Sequence, residues 1–494
     1  MTPRYRPRRV RFALMARRVR APRLLPTAIA GLVLLGLAGP AAACDRMVGT
    51  AATAAASADT AVTAAATTAS AATDPSAATS IVPGSVHRTS LKLRATYATQ
   101  LTLRYGSRWF GVNSIATITN TSGGPIDRVE LNTAAARLGG MTLRLAAVDG
   151  RRVSASVRDQ TIIVPLGGVL PAGATASVRI WYAAHLRSTL GGSSWMFTRA
   201  NGIVDAYRWI PWVSRATPFD RPNHGDPFVT PVSPSVSLTV TTDRRLVIVT
   251  TADRVSVSSN GLIQRFVAKD VRDVSLTAAP DFRSTSVLVG GTRVSYYYRS
   301  GANAARTLDA AVRAFRSIQA RLGDYPYPTY KVVQSAGGFG MESPRVTWIP
   351  FGVGSANLRY LVTHETAHQW FYGLVGNDQA RAPFADEAAA DFTARYVLGL
   401  KRGSRCSTSR LDHSIYAYSS ACYYEVVYIQ GGNLLDTARR RMGSTAFWRA
   451  MRAYVAAHRY GLVAGDRTIL QALDDATSLN LGASLFAPRF PSYY

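Results

Sequence analysis

Lysine is almost absent from this 494-residue chain, confined to Lys92, Lys269, Lys331 and Lys401. Acids are scarce too, 29 against 57 lysines and arginines, for a formal net charge of +28. A charge of that size is the footprint of a nucleic-acid binder. No dense basic run interleaved with aromatics follows residue 43, however, so nucleic acid is set aside as a partner. Nine of the arginines lie in residues 1–43, which hold no acid, and a chain without them carries 28 − 9 = +19. The remainder reads as arginine spread over solvated faces, suited to contact with anionic cell-surface polymers. With three cysteines, Cys44, Cys406 and Cys422, one disulfide at most closes within the chain. No internal repeat is found, which sets aside a solenoid. Histidine is so rare, seven in all, that any pattern among its positions carries weight.

What is present begins with an export signal. A basic segment, "MTPRYRPRRVRFALMARRVRAPR", is followed by the apolar run "LLPTAIAGLVLLGLAGP" and the small residues "AAAC", the order of an n-region, h-region and cleavage site. The apolar run is slightly short for a comfortable membrane span. "AAAC" resembles a lipoprotein signal, with Ala41 where leucine is usual, so lipidation of Cys44, cleavage after Ala43 and an uncleaved anchor all stay open. In an exported protein Cys406 and Cys422, sixteen apart, read as a disulfide and leave Cys44 unpaired. The expected location is extracellular or at the cell surface.

Length alone predicts roughly two or three domains. Residues 1–43 are the signal, and 44–85, rich in Ala, Thr and Ser, are expected to be a disordered tether that cannot bury enough surface to order itself. Residues 86–283 read as a β domain, sandwich-like or saddle-shaped. "ASVRIWY" puts Val178, Ile180 and Tyr182 on one face, and "SVSLTV" does so with Val236, Leu238 and Val240. Near 300 the period changes. "RTLDAAVRAFRSIQARLG" aligns Leu308, Ala311, Val312, Phe315, Ile318 and Leu322 on a helical face, with Gly323 at its end. "YKVVQSA" reads as a strand. In "GGNLLDTARRRMGSTAFWRAMRAYVAAH" Gly443 separates two helices, with Ser444 or Thr445 capping the second. Residues 284–494 are therefore mixed, helical toward the end, and the whole is an α+β multidomain chain.

The stretch "LVTHETAHQWFYG", 361–373, carries the chemistry. Residues four apart on a helix share a face, so His364 and His368 present two imidazoles to one point. Glu365, offset by about 100°, can reach a water on a metal without ligating it. A catalytic zinc takes three protein ligands. Glu387, on a second helix expected to start near Pro383, is the natural third. Asp391, one turn later, is the candidate to hydrogen-bond the far nitrogen of a ligand histidine.

Eighteen residues, 369–386, separate His368 from Glu387. His-Glu-x-x-His followed after that interval by Glu resembles the zinc signature of the M1 aminopeptidases, the gluzincins related to aminopeptidase N and leukotriene A4 hydrolase. "GGFGMESP" resembles the family's Gly-x-Met-Glu-Asn motif, with Gly340, Met341 and Glu342 matching and Phe339 and Ser343 departing from it. "VVYIQGG" resembles its Tyr-x-x-Gly motif at Tyr428, with Tyr423 and Tyr424 as competitors. The resemblance implies a thermolysin-like catalytic domain, one zinc ion on His364, His368 and Glu387, Glu365 as base, Tyr428 as oxyanion donor, and Gly340, Met341 and Glu342 as the binding strand for a peptide with a free N-terminus. It puts no ligand at His224 or Asp226, which are read as structural. The departures at Phe339, Ser343 and Asp386 keep open an endopeptidase of the same clan, or a silent cell-surface binding protein that retains the zinc site. The sequence says nothing of oligomeric state, natural substrate or preferred N-terminal residue.

Overall fold

The computed structural model describes residues 80–219, 225–299, 301 and 303–494. The export signal, Cys44, His224 and most of the expected tether lie outside them. The described residues belong to one compact unit. Order begins before residue 86, earlier than expected for the tether. Val82 bridges to Val169, and the Asp127 carboxylate accepts from Ser85 Oγ and from the N–H groups of Val86, His87 and Arg88. One carboxylate thus orders a segment that has little apolar surface to bury.

The first half is built on an eight-stranded sheet. Leu93–Arg104 alternates buried and exposed residues along its length, so one face enters the core and the other meets water. It forms a long antiparallel pair with Trp109–Asn120 and a parallel pair with Val236–Thr242. Two four-stranded sheets complete the β region, one of them containing Phe197–Ala200 and Ile203–Ala206. Phe110 packs edge-on against Phe197 and Trp209 across the core.

The second half begins with a five-stranded sheet in the order Arg283–Val289, Thr292–Tyr298, Thr329–Ser335, Val346–Pro350, Met341–Ser343. Its first hairpin turns at Gly290 and Gly291, both at positive φ (53° and 87°), the backbone that two-residue hairpin loops demand. Helix Ala304–Leu322 covers the sheet with the predicted apolar face and ends at Gly323, φ 101°. Helices Ser355–Ala367, Ala389–Leu398, Gly431–Met442, Ser444–His458 and Arg467–Asp474 follow. The expected cap at Ser444 is not made. Ser444 and Thr445 are already inside the helix, and the cap position falls to Gly443, which has no side chain to make the bond; the Ser444 hydroxyl accepts from Arg439. No helix among the described residues is long and apolar enough to cross a membrane.

Polar side chains from the first half hold the second. Asp205 accepts from the Ala336 N–H (2.6 Å) while Asn201 donates to its carbonyl (2.7 Å). The loop leading to Gly340 is thereby gripped on both sides. Burial pushes the Asp205 carboxyl up to about 7 against its hydrogen bonds from the Ala336 N–H and the Thr277 hydroxyl. Arg272 donates to the carbonyls of Gly373, Leu374 and Gly461, pinning the turn after the histidine helix.

Candidate active site

Helix Ser355–Ala367 carries His364 and Glu365 on its buried last turn, and His368 caps it. A five-residue π-helical turn, Phe384–Ala388, carries Glu387 and leads into Ala389–Leu398. The N–H of Ala385 is fixed by Asp466 at 2.8 Å. Nε2 of His364 and Nε2 of His368 lie 3.1 Å apart, and Oε2 of Glu387 is 3.3 Å from each. All three side chains are buried, and Oε2 of Glu387 has no conventional hydrogen-bond donor.

These three donor atoms fit a metal ion. A tetrahedral ion with N or O ligands at about 2.0–2.1 Å sets those atoms about 3.3 Å apart, which is the triangle seen. Out of water, the unpartnered Oε2 of Glu387 calls for a compensating positive charge, which a metal ion would supply. The donor set, two histidines and a glutamate, is that of a catalytic zinc rather than a closed structural one.

The orienting acid is not the one expected. Asp391 accepts from the Tyr360 hydroxyl (2.5 Å) and pairs with Arg395 (2.6 Å), with no bond to either histidine. Its neighbour four residues earlier on the helix is Glu387, but the face it occupies looks toward Tyr360. Asp386 does the work instead, with Oδ1 2.7 Å from His368 Nδ1. Adjacent helical residues are about 100° apart, so Glu387 and Asp386 can meet the two nitrogens of one ring. Burial pulls His368 down, but Asp386 and Glu387 outweigh it and hold its pKa well above the usual histidine range. Asp391 acts one layer further out. The ring of Tyr360, which it holds, stacks on His364 with centroids 5.8 Å apart.

Tyr428 also stacks on His364, centroids 5.5 Å apart. Its competitors pack on the Tyr428 ring itself, Tyr423 with centroids 5.9 Å apart and Tyr424 with 4.8 Å, and the Tyr424 hydroxyl takes Arg402. Burial, then the Glu387 charge, raise the Tyr428 phenol well above its ordinary range, so it is a proton-bearing donor.

Met341–Ser343 is the terminal strand of its sheet, paired on one side only with Val346–Pro350. Ligand oxygens of Glu342 and Glu365 and a ring nitrogen of His368 lie within 4.8 Å of one another. Burial pushes Glu365 up to about 8, with His368 opposing, and raises Glu342 further, with the charge of Asp226 adding to it. Asp226, read from the sequence as structural, is buried and interacts with Glu342, Glu365 and Tyr428. No spacing rule could have placed it there. Of the departing residues, Ser343 donates to Asp273, Phe339 is half-exposed beside Trp195, and Asp386 is the histidine's partner. Cys406 and Cys422 are joined, Cα atoms 5.8 Å apart.

Gly340 lies against Glu365. A Cβ there would overlap Oε1 of Glu365. Glu365 Cδ and Leu361 Cδ1 would also come too close, but all three are side-chain atoms, so Gly340→Ala should fold after a local shift, with a modestly lowered melting temperature. Displacing a reacting group by about 1 Å costs up to about 10²-fold in rate. The expected result is a fall in kcat of that order with unchanged metal content, and an unchanged kcat would remove Glu365 from the reaction.

No family model matches the chain, and no curated protein matches its sequence. Solved structures do match. A mutant of an M1 zinc metallopeptidase from Deinococcus radiodurans superposes with TM-score 0.64 at 18% identity, over 83% of this chain and 96% of that one. The unmutated Deinococcus radiodurans enzyme gives 0.63 at 18%, with the same coverage. The mutant bound to the substrate Tyr-Ser-Ala gives 0.60 at 18%, again over 83% and 96%. The chain therefore has the α+β fold of the two-domain M1 zinc metallopeptidases, a β-rich first part and a second part ending in helices.

Proposed function

We propose that this chain is a zinc-dependent aminopeptidase of the M1 type. One observation carries the reading: Glu342, on a terminal strand, stands within 4.8 Å of both Glu365 and a ring nitrogen of His368. A carboxylate so near the reaction centre suits the α-ammonium of the residue whose carbonyl is attacked, and leaves no room for a preceding residue. A terminal strand beside it can hold the peptide by backbone hydrogen bonds. The Tyr-Ser-Ala bound by the structural neighbour is consistent with such a substrate.

In this reading His364, His368 and Glu387 hold the zinc. The ion supplies a Lewis acid and a water of lowered pKa. Glu365 takes a proton from the attacking water and passes it to the leaving amine. Tyr428 donates its hydroxyl to the oxyanion. Asp386 fixes the His368 ring. The Cys406–Cys422 disulfide supports an exported chain, whether secreted or anchored at Cys44.

The test is a panel of aminoacyl fluorogenic amides, each with a free or an acetylated amine. Free-amine compounds should be cleaved, and acetylation should abolish the reaction, because the cap removes the charge Glu342 pairs with. Efficient cleavage of capped peptides would make the protein an endopeptidase. Bound zinc with no turnover of any compound would favour a silent binding protein.

A further inference from the structure

A hydrogen-bonded chain crosses the site that the roles above leave unused. Gln379 is buried, 2% exposed. Both hydrogens of its Nε2 are committed, one to Glu342 Oε1 at 2.9 Å and one to Asp386 Oδ2 at 2.7 Å. The second oxygen of Asp386 meets His368 Nδ1. One carboxamide therefore joins the carboxylate facing the substrate's ammonium to the carboxylate that aims a metal ligand. Its orientation is fixed from behind, because Arg208 donates to Gln379 Oε1 at 3.0 Å.

Arg208 is held in turn. It donates to the Tyr372 hydroxyl at 2.5 Å and lies 3.8 Å from Asp273. Tyr372 sits at φ 93°, backbone that favours glycine, and its hydroxyl donates to Asp273. Asp273 also accepts from Ser343, the residue after Glu342. The chain of bonds thus closes on the strand from which it started, and every member is buried.

We propose that Gln379 is a positioning residue that couples ammonium recognition at Glu342 to the orientation of His368 through Asp386. The proposal rests on the zinc aminopeptidase reading. The two buried carboxylates share one NH₂ donor. Without it each loses a donor and faces the other's charge, so Glu342 binds an ammonium less well and Asp386 holds the ring less firmly.

Two variants of the full chain test this. Gln379→Met keeps length and volume but removes both donors. Gln379→Glu keeps the shape and the acceptor toward Arg208 but turns an oxygen on the two carboxylates, and it carries the test if Gln379→Met does not fold. Zinc Kd would be measured by competition with a chromophoric chelator, and KM and kcat on a free-amine aminoacyl anilide at saturating zinc. We expect zinc Kd to weaken by about 10–100-fold, and KM to rise more than kcat falls. In a Glu342→Gln background the KM effect should vanish while the zinc effect persists. Zinc Kd and KM both within about twofold of wild type would overturn the proposal. So would a KM effect as large without the Glu342 carboxylate as with it, which would make Gln379 a packing residue only. A wild-type chain that binds no zinc or cleaves no free-amine substrate would instead sink the aminopeptidase reading, and this proposal with it.

Discussion

Glu365→Gln should bind zinc like the wild type and turn over aminoacyl substrates about 10²–10⁴-fold more slowly, the usual contribution of a positioned general acid–base group. The side chain is buried and belongs with Glu342 and His368 rather than with the His364, His368 and Glu387 triangle. Its loss therefore leaves the metal donors intact. The amide is isosteric and cannot take a proton. Burial already disfavours the charged carboxylate, raising it to about 8, so replacing it with a neutral group should not lower the melting temperature. Metal analysis, a thermal melt and kcat on one protein sample decide the matter. Retention of more than about a tenth of kcat would falsify the base assignment.

Removing the metal should cost both activity and stability. Asp226, Glu342, Glu365, Asp386 and Glu387 are all buried in one region, and such a group of carboxylates is poorly tolerated without a compensating cation. Chelation is expected to bring turnover to background and to lower the melting temperature by several degrees, with stoichiometric zinc restoring both. An ion that binds only the folded chain adds about 4 kcal/mol when its free concentration is 1,000 times Kd. A chelated sample with unchanged melting and unchanged activity would remove the metal from the site.

Much of the frame was legible in one dimension. Helix Ala304–Leu322 and its end at Gly323 followed from apolar period and one glycine. The alternation at Val178, Ile180 and Tyr182 matched a strand with one buried face. The convergence of His364, His368 and Glu387 was legible because an i, i+4 pair is a local geometry and an interval of eighteen residues brings back the next helix. Asp391 shows where that logic stops. One turn past Glu387 was the right distance along the helix, but its face looks to Tyr360 and Arg395, and the adjacent Asp386 reaches the imidazole.

What the sequence determined by itself are the features set by neighbours along the chain: strands, helices, and the convergence of His364, His368 and Glu387 with Glu365 beside them. Tertiary structure alone decided which groups surround them. Gln379 meets Glu342 across 37 positions, Arg208 meets Gln379 across 171, and Ser343 meets Asp273 across 70. A buried hydrogen bond between distant residues leaves no period and no spacing in the sequence. It exists only once two halves of the chain have packed, because only then are its partners deprived of water and obliged to satisfy one another.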